Sequence, residues 1–433
     1  MLTTPAFTSS DTPSDMSSDT SSDQATGRPS ARSDRTASLI AREDAFGAHN
    51  YHPLDLVIAE ASGSWVTDVD GRRYLDCLSA YSAVNQGHAH PRLLAAMARQ
   101  AARVTLTSRA FRNEQLGAFC EALATRCGMD MVLPMNTGAE AVETAIKAAR
   151  RWGYRAKGIP QDRAEIIAFA NNFHGRTTTL VGFSSEAAYR ADFGPFAPGF
   201  TVVPFGDLEA VRRAMTGHTC AVLVEPIQCE AGVLLPPEGF LRELSALCHE
   251  QNVLLVADEI QTGLGRTGAW FACDHEDVKP DLYVLGKALS GGCYPVSAVV
   301  GRREVLGLFE PGSHGSTFGG NPLACAVALE ALAVLEDEQL IARAAQSGAW
   351  LGAQLAQLTH PSIVAVRGRG LIWAIELREP ARPWAEALQG RGVLCKETHG
   401  TVLRLSPPLG TSREDLAFLV KQLQHVFEQH QAE

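Results

Sequence analysis

From about residue 130 the chain alternates short, continuous apolar runs with amphipathic segments. The runs are MVLPM (131–135), EIIAFA (165–170), FTVVPF (200–205), AVLVEPI (221–227), VLLVADEI (253–260), LYVLGK (282–287) and PVSAVV (295–300). Runs this short, without polar alternation and separated by helical segments, read as strands buried on both faces. Between two of them, PEGFLRELSALCHEQN places Phe240, Leu241, Leu244, Leu247 and Cys248 on one helical face. The pattern predicts an α/β fold with a large domain built on a mostly parallel seven-stranded sheet, covered by helices on both sides.

The flanking sequence has a different texture. Residues 64–78 alternate apolar and polar positions around an Asp-Gly turn signal, the pattern of a hairpin. Residues 91–127 carry mostly helical spacing. Beyond about 330 a long helical stretch leads to LIWAIEL, a turn region around G-V-L-C, and TVLRLSPPL. The last segment reads as a helix, with Ser412 and Asp415 spaced as a capping box and Leu416, Leu419, Leu423, Val426 and Phe427 as its apolar stripe. Neither terminal segment alone offers a complete core. They are expected to combine, 38–90 with 329–433, into a small α+β domain beside a large domain at 91–328. Residues 1–37, rich in Ser, Thr and Asp, lack the apolar content to fold and are expected to form a disordered tail.

Composition narrows the function classes. A chain of 433 residues exceeds what one compact core usually holds. Its net charge is −10, with no Lys/Arg-rich run, so nucleic-acid binding is set aside. No apolar stretch approaches the roughly 20 residues of a membrane-spanning helix. The ten cysteines are scattered singly, with no C-x-x-C pair and no zinc-ligand spacing, which implies reduced thiols, a cytoplasmic setting and no metal site.

The candidate chemistry lies at strand ends, where open parallel sheets bind ligands. Asp258 closes one apolar run and Lys287 another. These are two groups that pyridoxal phosphate needs: an amine to form a Schiff base, and a carboxylate to keep the pyridine nitrogen protonated so that the ring accepts electrons. In LPMNTGAEAVETAIK (133–147) a strand turns through Asn-Thr-Gly into a helix, so Gly138 and Ala139 offer backbone N–H groups to a phosphate. In HGSTFGGNP (314–322) Thr317 adds a hydroxyl among glycines. Gly263, Gly265 and Gly268 match the dinucleotide fingerprint, but no helix is expected to follow them directly, which argues against a dehydrogenase.

These residues, with NYHPL (50–54), SAYSAVNQGHAHP (79–91), LTSRAF (106–111), FGPFAPGF (193–200), VEPIQCEAGV (224–233) and ADEIQTGLGRTG (257–268), make residues 45–430 resemble the class III aminotransferases of pyridoxal phosphate fold type I. The resemblance implies that Lys287 carries the cofactor and moves the proton, and that Asp258 pairs with the pyridinium. It further implies that Gln261 bonds the ring's 3-hydroxyl oxygen, that Phe173 and Ile260 sandwich the ring, and that Gly138 and Ala139 hold the phosphate. Thr317 matches a phosphate ligand donated by the neighbouring subunit of a homodimer.

Within the class, Tyr51, Tyr81, Arg176, Glu230 and Arg404 are similar to the members that act on ornithine. The implied reaction moves the δ-amino group of L-ornithine to 2-oxoglutarate, giving L-glutamate 5-semialdehyde, which cyclises to pyrroline-5-carboxylate, and L-glutamate. Arg176 suits ornithine's α-carboxylate. Glu230 matches a residue that masks Arg404 until the oxo acid arrives, so that the wrong amine is not presented. Three positions depart from the ornithine pattern: Cys229 in place of Gly, Phe318 in place of Tyr, and His174 in NFHGR, which is closer to acetylornithine and 4-aminobutyrate enzymes. Acetylornithine or another ω-amino donor is therefore the alternative. A non-catalytic binding protein of the same fold is more remote, since no cofactor anchor is missing.

Overall fold

A computed structural model describes residues 33–429. The first strands, β1 (Ile58–Ser62), β2 (Trp65–Asp68) and β3 (Arg73–Asp76), pair antiparallel in order, and β2 with β3 is the hairpin expected at 64–78. The central strands are β4 (Met131–Met135), β5 (Glu165–Phe169), β6 (Phe200–Val203), β7 (Thr219–Val224), β8 (Leu254–Asp258), β9 (Leu282–Leu285) and β10 (Ser297–Gly301). The C-terminal part adds β11 (Ile363–Arg369), β12 (Ile372–Leu377), β13 (Val393–Leu394), β14 (Lys396–Thr398) and β15 (Val402–Leu405).

The seven apolar runs become one seven-stranded sheet, in the order β4-β10-β9-β8-β7-β5-β6. Only β10 runs against its neighbours, so the sheet is mostly parallel. Side-chain alternation then serves both faces. Ile166, Ala168, Leu223 and Val256 pack with Ala141, Val142 and Ala145 of the helix Gly138–Trp152. Ile167, Phe169, Val222 and Leu255 pack with Phe240, Leu241, Leu244, Leu247 and Cys248 of the helix Phe240–Glu250, the five residues assigned to one face from spacing. Two buried faces leave polar chemistry only at the strand ends.

The terminal segments meet through β13. It pairs in parallel with β3, Val393 opposite Leu75 and Leu394 opposite Asp76, extending the sheet β1-β2-β3-β13. Sequence reading took this stretch for a turn. Two residues are too short to carry a strand signature, and only the docked β3 reveals it. A second small sheet, β11-β12-β15-β14, carries Arg404 on β15. Ser412 caps the last helix by accepting from Asp415 N at 3.0 Å, and its five stripe residues are buried.

Two further differences are local. Residues 91–127 form two helices, Pro91–Ala101 and Glu114–Cys127, with Asn113 capping the second. The tail expected over 1–37 lies outside the described residues up to 32, but a helix spans Asp34–Phe46, ahead of the Ser38 start. Its signal is polar rather than apolar: Ser33 caps it, and Thr36 Oγ1 donates to Asp70 at 2.8 Å in the hairpin turn. No described helix is long and apolar enough to cross a membrane.

Candidate active site

β4 and β9 both run against β10, so the carboxyl ends of β4, β5, β7, β8 and β9 fall along one edge of the central sheet. The loops leaving them wall a cavity of about 280 Å³ lined by Gly138, Ala139, Phe173, His174, Glu225, Asp258, Ile260, Gln261 and Lys287, among others. Seven of these nine were singled out from sequence as cofactor residues. The structure brings these seven together from the ends of four strands, β4, β5, β8 and β9.

Lys287 follows β9 and Gly286 at a left-handed φ of 45°. Such a conformation costs a non-glycine residue of the order of 1–3 kcal/mol and persists only where packing dictates it. Burial lowers the pKa of its amine, against the opposing pull of Glu230 and Asp258, which favours the free base needed for nucleophilic attack.

Asp258 ends the adjacent strand β8 and is buried. Ile260 N donates to its Oδ1 at 3.1 Å, and His174 Nδ1 lies 2.7 Å from its Oδ2. Glu259, next in sequence, turns away. It accepts from Ala272 N and Cys273 N at 3.0 and 2.9 Å and so pins its own loop. The glycines of GLGRTG lie in that turn and lead into a short 3₁₀ turn, Ala272–Glu276, not an α-helix, which removes the dinucleotide reading.

The helix Gly138–Trp152 opens on a capping box between Thr137 and Glu140. Gly138 faces Ile260 closely: a Cβ there would meet Ile260 Cδ1 at 3.0 Å. Thr137 takes up the N–H of Glu140, and the helix N-terminus reaches the cavity wall at Gly138 and Ala139.

Beyond the cavity, Arg404 Nη1 donates to Glu230 Oε1 at 2.8 Å and to Gln261 Oε1 at 3.4 Å, while Gln261 Nε2 donates to Glu230 Oε1 at 3.0 Å. Burial pushes the Glu230 carboxyl up, but the charge and hydrogen bond of Arg404 outweigh it and hold the carboxyl below its usual range. Cys229 is buried, its thiol 3.5 Å from Ile227 O, and the Glu230–Arg404 pair forms at 2.8 Å with this side chain in place.

Tyr81 lies 4.9 Å under the Arg404 guanidinium. It belongs to a left-handed turn in which Ser79, Ala80, Tyr81 and Ser82 all have positive φ. Asp76 Oδ1 accepts from Leu78 N and Ser79 N, and Ser79 Oγ donates to Ser406 O at 2.6 Å, tying the turn to the strand that bears Arg404. Tyr51 is 72% exposed, within electrostatic reach of Tyr81. Arg176 stacks on Tyr189, its guanidinium carbon 3.6 Å from the ring centroid. Thr317 and Phe318 are exposed and lie outside the cavity of their own chain.

Three residues near the site escaped sequence reasoning in the positions they hold. His174 registered only as a departure in a motif, not as the partner of Asp258. Glu225 is buried in the cavity wall, where Phe173 N donates to it at 3.0 Å and burial pushes its carboxyl well above the usual range. Its place directly after β7 was the available signal. Tyr189 lies in a short helical turn, Ala187–Arg190, with no pattern to mark it.

The family model described as Aminotransferase class-III matches residues 46–427. The chain belongs to the class-III aminotransferases. It is 58% identical over 391 residues to the ornithine aminotransferase of Halalkalibacterium halodurans, covering 90% of this chain and 98% of that one. Among solved structures it is similar to ornithine aminotransferase from Toxoplasma gondii (TM-score 0.90, 44% identity, 91% and 94% of the two chains). It is also similar to acetylornithine aminotransferase from Elizabethkingia anophelis (TM-score 0.83, 45% identity, 91% and 98%).

Pyridoxal phosphate is the cofactor of this class-III aminotransferase, and the residues fit it. The cavity has an aromatic wall in Phe173, an aliphatic one in Ile260, a part-buried lysine and an open helix N-terminus. Asp258 has one partner on each oxygen, and an ionised carboxylate accepts about four hydrogen bonds, so it retains capacity for the ring N–H.

Proposed function

We propose that the chain transfers the δ-amino group of L-ornithine to 2-oxoglutarate, forming L-glutamate 5-semialdehyde and L-glutamate. The observation that carries this reading is the contrast between two cations: Arg404 is masked by Glu230, whereas Arg176 is open. Ornithine has one carboxylate, and the open cation takes it. The α-amino group then points away from Lys287 and the δ-amine toward it. The oxo acid has two carboxylates and draws Arg404 from Glu230 with the second. Tyr81, stacked against Arg404, and Tyr51 flank the path of the ornithine chain.

Bound pyridoxal phosphate supplies the electron sink for the pair left at Cδ when its proton is removed. Gly138 and Ala139 would hold the phosphate, Phe173 and Ile260 the ring faces, Gln261 the 3-hydroxyl oxygen and Asp258 the ring nitrogen. Lys287, with its amine pKa lowered by burial, is the base that would take the proton from Cδ of the substrate.

The same reading includes a homodimer in which the partner copy supplies Thr317 to the phosphate, which suits a hydroxyl exposed outside its own cavity. It also includes a small domain from residues 38–90 and 329–433 flanking a large one at 91–328, and a cytoplasmic setting in keeping with ten free cysteines. The test is an amino-donor panel of ornithine, N-acetylornithine, 4-aminobutyrate and lysine on the holoenzyme. Ornithine is expected to lead in kcat/KM. A lead for N-acetylornithine would replace the substrate assignment, and dimer formation is read from light scattering.

A further inference from the structure

Arg176 is held in a way that Arg404 is not. No ion pair or side-chain hydrogen bond engages its guanidinium among the described residues. Thr177, next in sequence, donates its Oγ1 to the Glu143 carboxylate at 2.5 Å. What touches the guanidinium is aromatic. Its carbon lies 3.6 Å from the Tyr189 centroid and 5.4 Å from that of Phe173, and the two rings meet edge to face at 82°. The guanidinium thus sits in a corner between two rings.

A centroid distance of 3.6 Å is van der Waals contact with the ring face, and a guanidinium so placed keeps its in-plane N–H donors free. This solves a specific problem. An exposed arginine side chain has many rotamers, and each must be frozen to receive a carboxylate bidentately. A carboxylate partner would fix it but neutralise it. An aromatic face fixes it and leaves both charge and fork available.

Tyr189 is itself anchored. Glu186 caps its short turn through Ala188 N at 3.4 Å. The next residue, Arg190, donates to Ser184 O at 3.3 Å and covers the Phe196 ring. The ring is half-buried, and burial raises the pKa of its hydroxyl, so it remains a neutral phenol.

We propose that Tyr189 is a specificity-determining positioning residue, the platform that holds the Arg176 fork open for the carboxylate end of either substrate. The proposal rests on reading Arg176 as the carboxylate receptor. It assigns Tyr189 an effect on substrates that carry a carboxylate and none on an amine that lacks one.

The test uses the holoenzyme with Tyr189→Phe, Tyr189→Leu, Tyr189→Gln, Arg176→Met and the Tyr189→Leu/Arg176→Met double variant. Two readouts are taken: KM and kcat for ornithine and 2-oxoglutarate, and the Kd of glutarate, an unreactive dicarboxylate, from the change in cofactor absorbance. Loss of an exposed cation–π contact should raise KM and Kd about fivefold in the Leu and Gln variants, with kcat changed far less. Tyr189→Phe should stay near wild type, because the ring face is what acts. In the Arg176→Met background Tyr189→Leu should add nothing to KM or Kd, and any use of 1,4-diaminobutane, an amine without a carboxylate, should be no lower in Tyr189→Leu than in wild type.

If Arg176→Met raises KM while both Leu and Gln leave it unchanged, the platform is overturned and the carboxylate receptor stands. If Arg176→Met leaves KM and Kd unchanged, both fall. A fall in kcat for every amine alike, with KM constant, identifies a merely structural tyrosine and overturns the proposal.

Discussion

His174 Nδ1 lies 2.7 Å from Asp258 Oδ2, with the imidazole wholly buried and its Nε2 without a partner. An ionised carboxylate only accepts, so the proton of the pair sits on Nδ1 and donates to Oδ2. With Ile260 N on Oδ1, both carboxylate oxygens have a fixed partner, and the proposed bond to the cofactor ring would use the remaining lone pairs. A hydrogen bond to a charged group contributes about 1.5–3 kcal/mol, so His174→Ala should raise the Kd for pyridoxal phosphate about tenfold or more. Absorbance titration of the apoprotein measures this, and His174→Asn should recover part of the loss. An unchanged Kd in His174→Ala would remove the histidine from cofactor positioning.

Buried Arg404 and part-buried Glu230 form a pair whose carboxyl is held below its usual range chiefly by Arg404 acting against burial. Glu230→Ala releases Arg404 to capture an α-carboxylate. Half-reactions with α-amino donors such as glutamate should accelerate about tenfold relative to ornithine, the scale of one interaction that discriminates between substrates. Stopped-flow absorbance reads both donors, and an unaltered preference would defeat the masking role. The pH dependence follows from the depressed folded pKa. The pair is fully formed above the ordinary carboxylate range and is lost only as pH falls through the lower folded value, so donor preference should stay flat from neutral pH down to about pH 5.

Much of this was legible in the sequence because buried parallel strands are uninterrupted apolar runs. All seven runs became strands of one sheet, and Asp258 and Lys287 fell at neighbouring strand ends as their positions required. The short strand β13 was not legible, because its two residues have no period of their own and pair with a strand more than 300 positions away. The same holds within the site. Lys287 and Gly138 sit in motifs, whereas His174 meets Asp258 and Tyr189 meets Arg176 only through folding. The Tyr81 turn was hidden too, since Ser79, Ala80 and Ser82 carry no glycine to announce positive φ.

In the proposed reaction Lys287 serves for attack, proton transfer and cofactor attachment, and burial tunes its amine toward the free base. Lys287→Ala should still bind pyridoxal phosphate through Asp258 and the helix at Gly138, since those contacts do not need the amine. Turnover should fall by at least about 10³-fold, within the range for loss of a general base. Mass spectrometry of native protein reports the bound cofactor, and coupled assay the rate. Near-normal turnover would place the proton transfer elsewhere.

Ala80 holds the strain of the site in its simplest form. With φ 46° and ψ 50° it is left-handed, exposed, and flanked by Ser79 and Tyr81 in the same region. The left-handed region costs an L-residue roughly 1–2 kcal/mol that glycine does not incur, although glycine also loses more chain entropy on folding. The hydrogen bonds of Asp76 and Ser406 hold the turn whichever residue stands at 80, because they act on Leu78, Ser79 and Cys77. Ala80→Gly should therefore stabilise the protein by up to about 1 kcal/mol with ornithine KM retained, and Ala80→Val should destabilise it by more, since a β-branched residue tolerates positive φ least. Urea unfolding of the two variants beside wild type decides the matter. A glycine variant less stable than wild type would show that the left-handed turn is not strained at this position.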